Sequence, residues 1–175
     1  MSGGVRLLKS VEEGVVLALF DVANQLHKLG DEVAAGAGLT TQQWLVLLQV
    51  AGDPNFHRTV RSAADGADTV GSGIARARGV TRANVSTLVA QLVAKGFLRQ
   101  QEQVRDRRRK RLLITEQGRR ALAAIEPARR EANRKLLGGL DLAERAQLLR
   151  SLQACLEHLC STAGHVGAAP TRRTK

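Results

Sequence analysis

The chain has 175 residues and a formal net charge of +11 at pH 7, enough length for one domain or two small ones sharing a core. Three Phe, one Trp and no Tyr leave too few rings for a base-stacking platform, which argues against a single-stranded nucleic-acid binder, while the charge favours a polyanionic partner. No apolar run approaches the roughly 20 residues needed to span a bilayer, and residues 1–10 lack the features of a signal peptide, so no membrane partner is expected and the expected compartment is the cytoplasm.

Residues 1–10 read as a flexible N-terminal arm. Apolar residues then fall at Val11, Val15, Leu19, Val22, Leu26, Leu29 and Val33, in steps of 4, 4, 3, 4, 3 and 4. That is one face of a long helix, which Gly36 and Gly38 end. Residues 39–50, LTTQQWLVLLQV, predict a short apolar helix capped by Thr40 or Thr41, with Trp44 packed inside. Residues 53–71 break the pattern with Pro54, two Gly and several Asp, Ser and Thr, and read as a long inserted loop.

Residues 72–78 suit a short helix, and Gly79 suits the left-handed turn that closes it. Thr81 is placed to cap the next helix. There Val85, Leu88, Val89, Leu92 and Val93 share an inward face, leaving Arg82, Asn84, Ser86, Thr87 and Gln91 outside; Gly96 ends it. Residues 97–104 and 110–115 can pair as strands around the tip RDRRRKR. Thr115 starts a long helix reaching about Leu137, interrupted or bent near Pro127. Gly138 and Gly139 break it. Asp141 caps a last helix with a stripe of Leu142, Leu149, Leu152, Leu156 and Leu159. Residues 161–175 read as a disordered basic tail.

Turn, polar-fronted helix, strand, arginine-loaded tip, strand and helix is the order of a winged helix-turn-helix. From Arg99 to Arg111 there are seven Arg or Lys against two acids, Glu102 and Asp106, a net of +5. The outer helix face is short, polar and free of acids, where an ordinary solvated helix would mix Glu with Lys. Thr81, Arg82, Asn84, Ser86, Thr87 and Gln91 are therefore candidates for contact with duplex DNA, the N-terminal turn entering the major groove. Arg105, Arg107, Arg108 and Arg109 suit a narrow minor groove, with Asp106 placed to orient a neighbouring guanidinium.

Other chemistry finds less support. His27, Trp44, His57 and Arg58 are conceivable lining residues for a small ligand, though their spacing specifies none. Cys155 and Cys160, five residues apart on one helix, diverge by about 140° and are expected to be buried rather than bridged within the chain. The four histidines, His27, His57, His158 and His165, form no metal-ligand spacing, and no glycine loop with its Lys cradles a phosphate. No catalysis, cofactor or metal is expected.

The segments GVTRANVSTLVAQLVAKGFLRQ and DRRRKRLLITEQGRRAL resemble the MarR family of multiple-antibiotic-resistance-type regulators. The family's wing pattern lands on Asp106, Arg107, Arg108, Ile114, Thr115, Glu116 and Gly118. The resemblance spans roughly residues 11–160. It implies a mainly α fold with a small β-wing, namely a winged helix-turn-helix at 39–115 plus a helical dimerisation module from 11–38 and 116–160. It further implies a homodimer on an inverted-repeat operator, a repressor more often than not, released by a small aromatic or carboxylic effector. Two departures stand out. The 53–71 link is longer than the family usually shows. Arg78 stands where the family places an apolar residue, implying a shifted register or a side chain turned outward. Two other readings stay open: an architectural or RNA-associated winged-helix protein binding by charge alone, and a module whose basic wing meets an acidic protein.

Overall fold

The computed structural model describes residues 10–56, 71–102 and 110–162. Its elements run α1 (Val11–Ala35), α2 (Thr41–Ala51), α3 (Gly71–Arg78), α4 (Arg82–Ala94), β1 (Leu98–Glu102), β2 (Lys110–Ile114), α5 (Glu116–Leu136) and α6 (Leu142–Thr162). The fold is mainly α, with one two-stranded antiparallel sheet. The N-terminal arm, the tail beyond residue 162, most of the 53–71 link and the wing tip at 103–109 lie outside the described residues.

Local signals set the element ends. Ser10 caps α1 by accepting from the Glu13 amide at 3.2 Å. At α2 it is Thr40 that caps, in a reciprocal box: its hydroxyl accepts from the Gln43 amide at 3.3 Å while Gln43 Oε1 accepts from the Thr40 amide at 3.2 Å. Asp141 and Glu144 exchange the same pair of bonds, at 2.9 and 2.7 Å, at the start of α6. Gly79, with φ 61°, makes the left-handed turn between α3 and α4 that the sequence predicts.

The core lies between α2, α3, α4, the sheet and the first half of α5. Val46, Leu47, Ile74, Val85, Leu92, Leu98 and Ile125 are buried there. Two glycines permit close approaches. A Cβ on Gly30 would sit 2.6 Å from Thr41 Oγ1, so this glycine lets α2 begin directly against α1. A Cβ on Gly118 would run into the Phe97 carbonyl oxygen and the Ile114 side chain, so α5 can start beneath the sheet only without one.

The outer helices are different. Along α1 only Gly30 and Ala34 are buried, and along α6 no residue is. The apolar stripes expected from the sequence exist, but within one chain they are largely bare: Val11 is 80% exposed, Val15 51%, Leu142 82% and Leu149 56%, while Leu29 and Val33 turn to the cavity described below.

Three expectations need correction. Cys155 and Cys160 are exposed, because α6 packs against little else in its own chain. The fifth helix is not interrupted at Pro127, which lies inside one continuous helix. Proline removes the amide bond to the Ala123 carbonyl, but Ala123 and Pro127 both lie on an exposed stretch where water can take it. Arg78 does not turn outward. Its Nη2 donates to Gln42 Oε1 on α2 at 3.0 Å, and burial lowers its pKa from the ordinary arginine value.

Candidate nucleic-acid interface

The fourth helix opens with Thr81 in extended geometry, its hydroxyl accepting from the Asn84 amide at 3.2 Å. Val85, Val89 and Leu92 bury the inner face. This leaves Arg82, Asn84, Ser86 and Thr87 exposed together on the first two turns, with no acid in the first turn. The amides of that turn have no helical partner and add a partial positive charge. Arg82 brings a full one. Such a surface offers donors and acceptors suited to base edges and phosphates. Thr87 donates its proton to the Ala83 carbonyl at 3.1 Å, leaving its oxygen as an acceptor.

Gln91 is also exposed, but its side-chain oxygen accepts from Gln43 Nε2 at 2.8 Å. Its first role is inside the molecule. Gln43, only 5% exposed, is the centre of a polar cluster. Besides capping α2, its Oε1 accepts from Lys95 Nζ at 3.0 Å, and that ammonium also donates to the Gly38 carbonyl at 2.6 Å. The start of α2 thus grips the end of α4 through two side chains. A buried amide satisfied on both its oxygen and its nitrogen fixes orientation, since any tilt of α4 leaves one of them unpaired.

The sheet pairs from Leu98↔Ile114 to Glu102↔Lys110. Arg99, Lys110 and Arg111 bring cations to the base of the wing. Arg105, Asp106, Arg107, Arg108 and Arg109 lie outside the described residues. The Thr115 hydroxyl braces the wing's root, 2.7 Å from the Gly96 carbonyl oxygen while it accepts from the Gly118 amide at 3.0 Å.

A cavity of about 320 Å³ lies between α1, α2 and α5. Its walls are mostly aliphatic, with Trp44 on one side and His27, Thr41, Arg129 and Asn133 supplying the polar atoms. Among the described residues no carboxylate lines it. Asp31 stands just outside, accepting from the Thr41 amide at 2.7 Å; that bond, with the Thr41 hydroxyl, holds its carboxyl below the usual value. Arg129 is braced on its far side by Asp53, at 3.0 Å from Nη1, and Glu126, at 2.6 Å from Nη2.

Residues 37–109 match the model of the MarR family. That segment, which holds α2, α3, α4 and β1, is of MarR-family type. The family is made up of DNA-binding transcriptional regulators. The chain is 28% identical over 142 residues to the transcriptional activatory protein BadR of Rhodopseudomonas palustris, covering 81% of this chain and 75% of that protein. Among solved structures, CouR of Rhodococcus jostii RHA1 bound to p-coumaroyl-CoA superposes with a TM-score of 0.68 at 19% identity, over 85% of this chain and 96% of that one. The MepR–DNA complex of S. aureus gives a TM-score of 0.65 at 20% identity, over 82% and 97%. At those identities the structural matches establish the winged-helix fold and nothing finer.

Within this MarR-family fold, Arg82, Asn84, Ser86 and Thr87 come together on one exposed face, with Thr81 beneath them as the cap. His27 and Trp44 meet in the cavity; Trp44 is half-buried, with one side on the core and the other on the cavity. His57 and Arg58 lie outside the described residues. Arg129, Asn133 and Gln43 escaped the sequence reading. Arg129 had a readable signal, since it continues the buried series Gly118, Ala121, Ile125 and Ala132 at helical spacing. An arginine on such a stripe needs a buried partner or a ligand. No described helix is long and apolar enough to cross a membrane, and no three His, Cys, Asp or Glu gather to hold a metal among the described residues.

Proposed function

We propose that this protein is a sequence-specific reader of double-stranded DNA that represses as a homodimer on an inverted-repeat operator and is released by a small aromatic or carboxylic effector. The observation that carries the reading is the acid-free exposed face of Arg82, Asn84, Ser86 and Thr87, held in orientation by the Gln43 cluster. A binder acting by charge alone needs cations but no such fixed set of neutral donors and acceptors. In this reading residues 39–115 form the DNA-binding domain and 11–38 with 116–160 the dimerisation module. The bare stripes of α1 and α6 support the dimer, because a second copy can cover them with identical stripes by two-fold symmetry. The reading helices then enter successive major grooves, and Arg107 and Arg108, oriented by Asp106, reach the flanking minor grooves.

The cavity supports the effector. Its aliphatic walls and single guanidinium suit a flat apolar body with one acidic group. BadR is named as activatory, so the sign of regulation has its own test: a reporter behind the operator falls silent with the protein present if it represses. The primary experiment is selection of bound duplexes from a random pool. An inverted repeat with half-sites about one helical turn apart, roughly 34–36 Å, is the expected result. Tight but unenriched binding with a steep salt dependence would place the protein among architectural binders instead.

A further inference from the structure

Arg129 and Trp44 belong to two cavities at once. The first is the α1–α2–α5 cavity; the second, of about 300 Å³, lies between the end of α2 and α5, beside Asp53, Pro54 and Glu126. The guanidinium is therefore a partition, with an apolar chamber on one side and two carboxylates on the other. Asp53 is 11% exposed at its side chain and Arg129 23%, so the pair is largely shielded from water. Asp53 follows Gly52, the left-handed cap of α2, and its Oδ1 accepts from both the amide and the side chain of Asn55 at 2.8 Å. One carboxylate thus closes the turn after α2 and ties that end of the helix to α5.

The charges around Arg129 are balanced: Asp53 and Glu126 face Arg129 and Arg130. An anion entering the apolar chamber finds one arginine among its described lining residues, already shared with two acids. A third carboxylate on the same guanidinium leaves excess negative charge in a partly dry site, and the weaker contact yields. Glu126 is the firmer partner, at 2.6 Å and only three residues away on the same helix, whereas Asp53 reaches across from α2 at 3.0 Å.

We propose that Arg129 is an exchange site: a monocarboxylate with an apolar body binds in the chamber by taking the guanidinium from Asp53, and so uncouples the end of α2 from α5. This rests on the effector reading above and specifies how that effector is read. The consequence travels along α2. Its N-terminal Gln43 holds Gln91 and Lys95 of the reading helix, so a shift of α2 relative to α5 carries α4 with it. A ligand alters DNA affinity only through such differential contacts in the two arrangements.

The test uses the full chain, with benzoate as the anionic probe and benzamide as its neutral counterpart, titrated by calorimetry. Asp53→Asn removes the competitor while keeping the oxygen that closes the turn, and it is expected to bind benzoate about three- to tenfold more tightly than wild type. Arg129→Gln is expected to lose benzoate affinity about tenfold or more. Benzamide binding should be the same in all three proteins. In wild type, benzoate should speed hydrogen exchange at the Asn55 amide, a readout that survives if either variant folds poorly. Equal benzoate affinity in wild type and Asp53→Asn would overturn the exchange, as would failure of benzoate to bind either one at tens of millimolar. Those failures leave duplex selection untouched, whereas a pool without an enriched repeat would remove the regulator reading itself.

Discussion

The reading head and the outer helices use the same kinds of residue in opposite ways. Around α2 and α4 the apolar side chains are buried, and a cluster of Gln43, Gln91 and Lys95 fixes the orientation of the exposed face. Along the first half of α1 and all of α6, comparable leucines and valines stand in the open. The head buries its apolar residues within one chain; the outer helices leave theirs bare. The difference teaches that a local polar network holds the proposed reading face, while the proposed dimer would have to be built from the uncovered stripes.

Breaking the outer half alone should have the largest consequence. Leu149→Glu with Leu152→Glu places charge on the α6 stripe. It is expected to give a monomer by sedimentation and to lower affinity for the enriched repeat by about 10²–10⁴-fold, the range lost when linked binding becomes single. Helix content should stay unchanged. A stable dimer with full affinity would show that the dimer uses another surface.

Breaking the head from beneath is the next largest effect. Gly118→Ala puts a Cβ against the Phe97 carbonyl, a backbone atom that cannot swing aside. A loss of about 3 kcal/mol is expected, seen as a melting temperature lower by roughly 6–12 °C for a domain of this size. Asn84→Ala sharpens the comparison from the surface side. If the side chain reads a base, discrimination between the repeat and a random duplex falls by about 1–3 kcal/mol per half-site, with no change in melting. Equal losses on both duplexes would make Asn84 a phosphate contact.

The smallest effect concerns the joint between the two halves. Burial raises the Asp53 carboxyl pKa, but the bonds from Asn55 and the pairing with Arg129 outweigh it, and the group sits below its ordinary value. A carboxyl depressed on folding contributes stability that is complete above its unfolded pKa of about 3.9 and is lost as pH falls through the folded value. Wild type should therefore exceed Asp53→Asn by about 1 kcal/mol at pH 7 and converge with it near pH 3. Melting curves at the two values check this; a gap that persists at acid pH would remove the ion pair as its source.

The comparison also explains what could be read in advance. The head was legible because its signals are local: Thr81 before an apolar series, Gly79 needing φ of 61°, and the Thr115 to Gly118 start of α5. The stripes of α1 and α6 were equally plain, yet periodicity does not say which chain covers them, and so Cys155 and Cys160 were expected inside and stand outside. Contacts between distant residues left almost no trace. Gln42 and Gln43 are indistinguishable in QQW, although one meets Arg78 and the other organises the head. Arg129 meets Asp53 across 76 positions, and only its place on a buried stripe hinted at a partner.

The central claim is that a fixed polar face reads sequence on behalf of two linked subunits. Titrating the purified protein onto the enriched repeat and onto a shuffled duplex of equal composition, at two salt concentrations and with the bound mass recorded, tests it most directly. The account predicts two subunits per repeat, a preference of at least about 10³-fold, and binding to both duplexes that weakens as salt rises. Equal affinity for the two duplexes at both salt concentrations, whatever the stoichiometry, would contradict it.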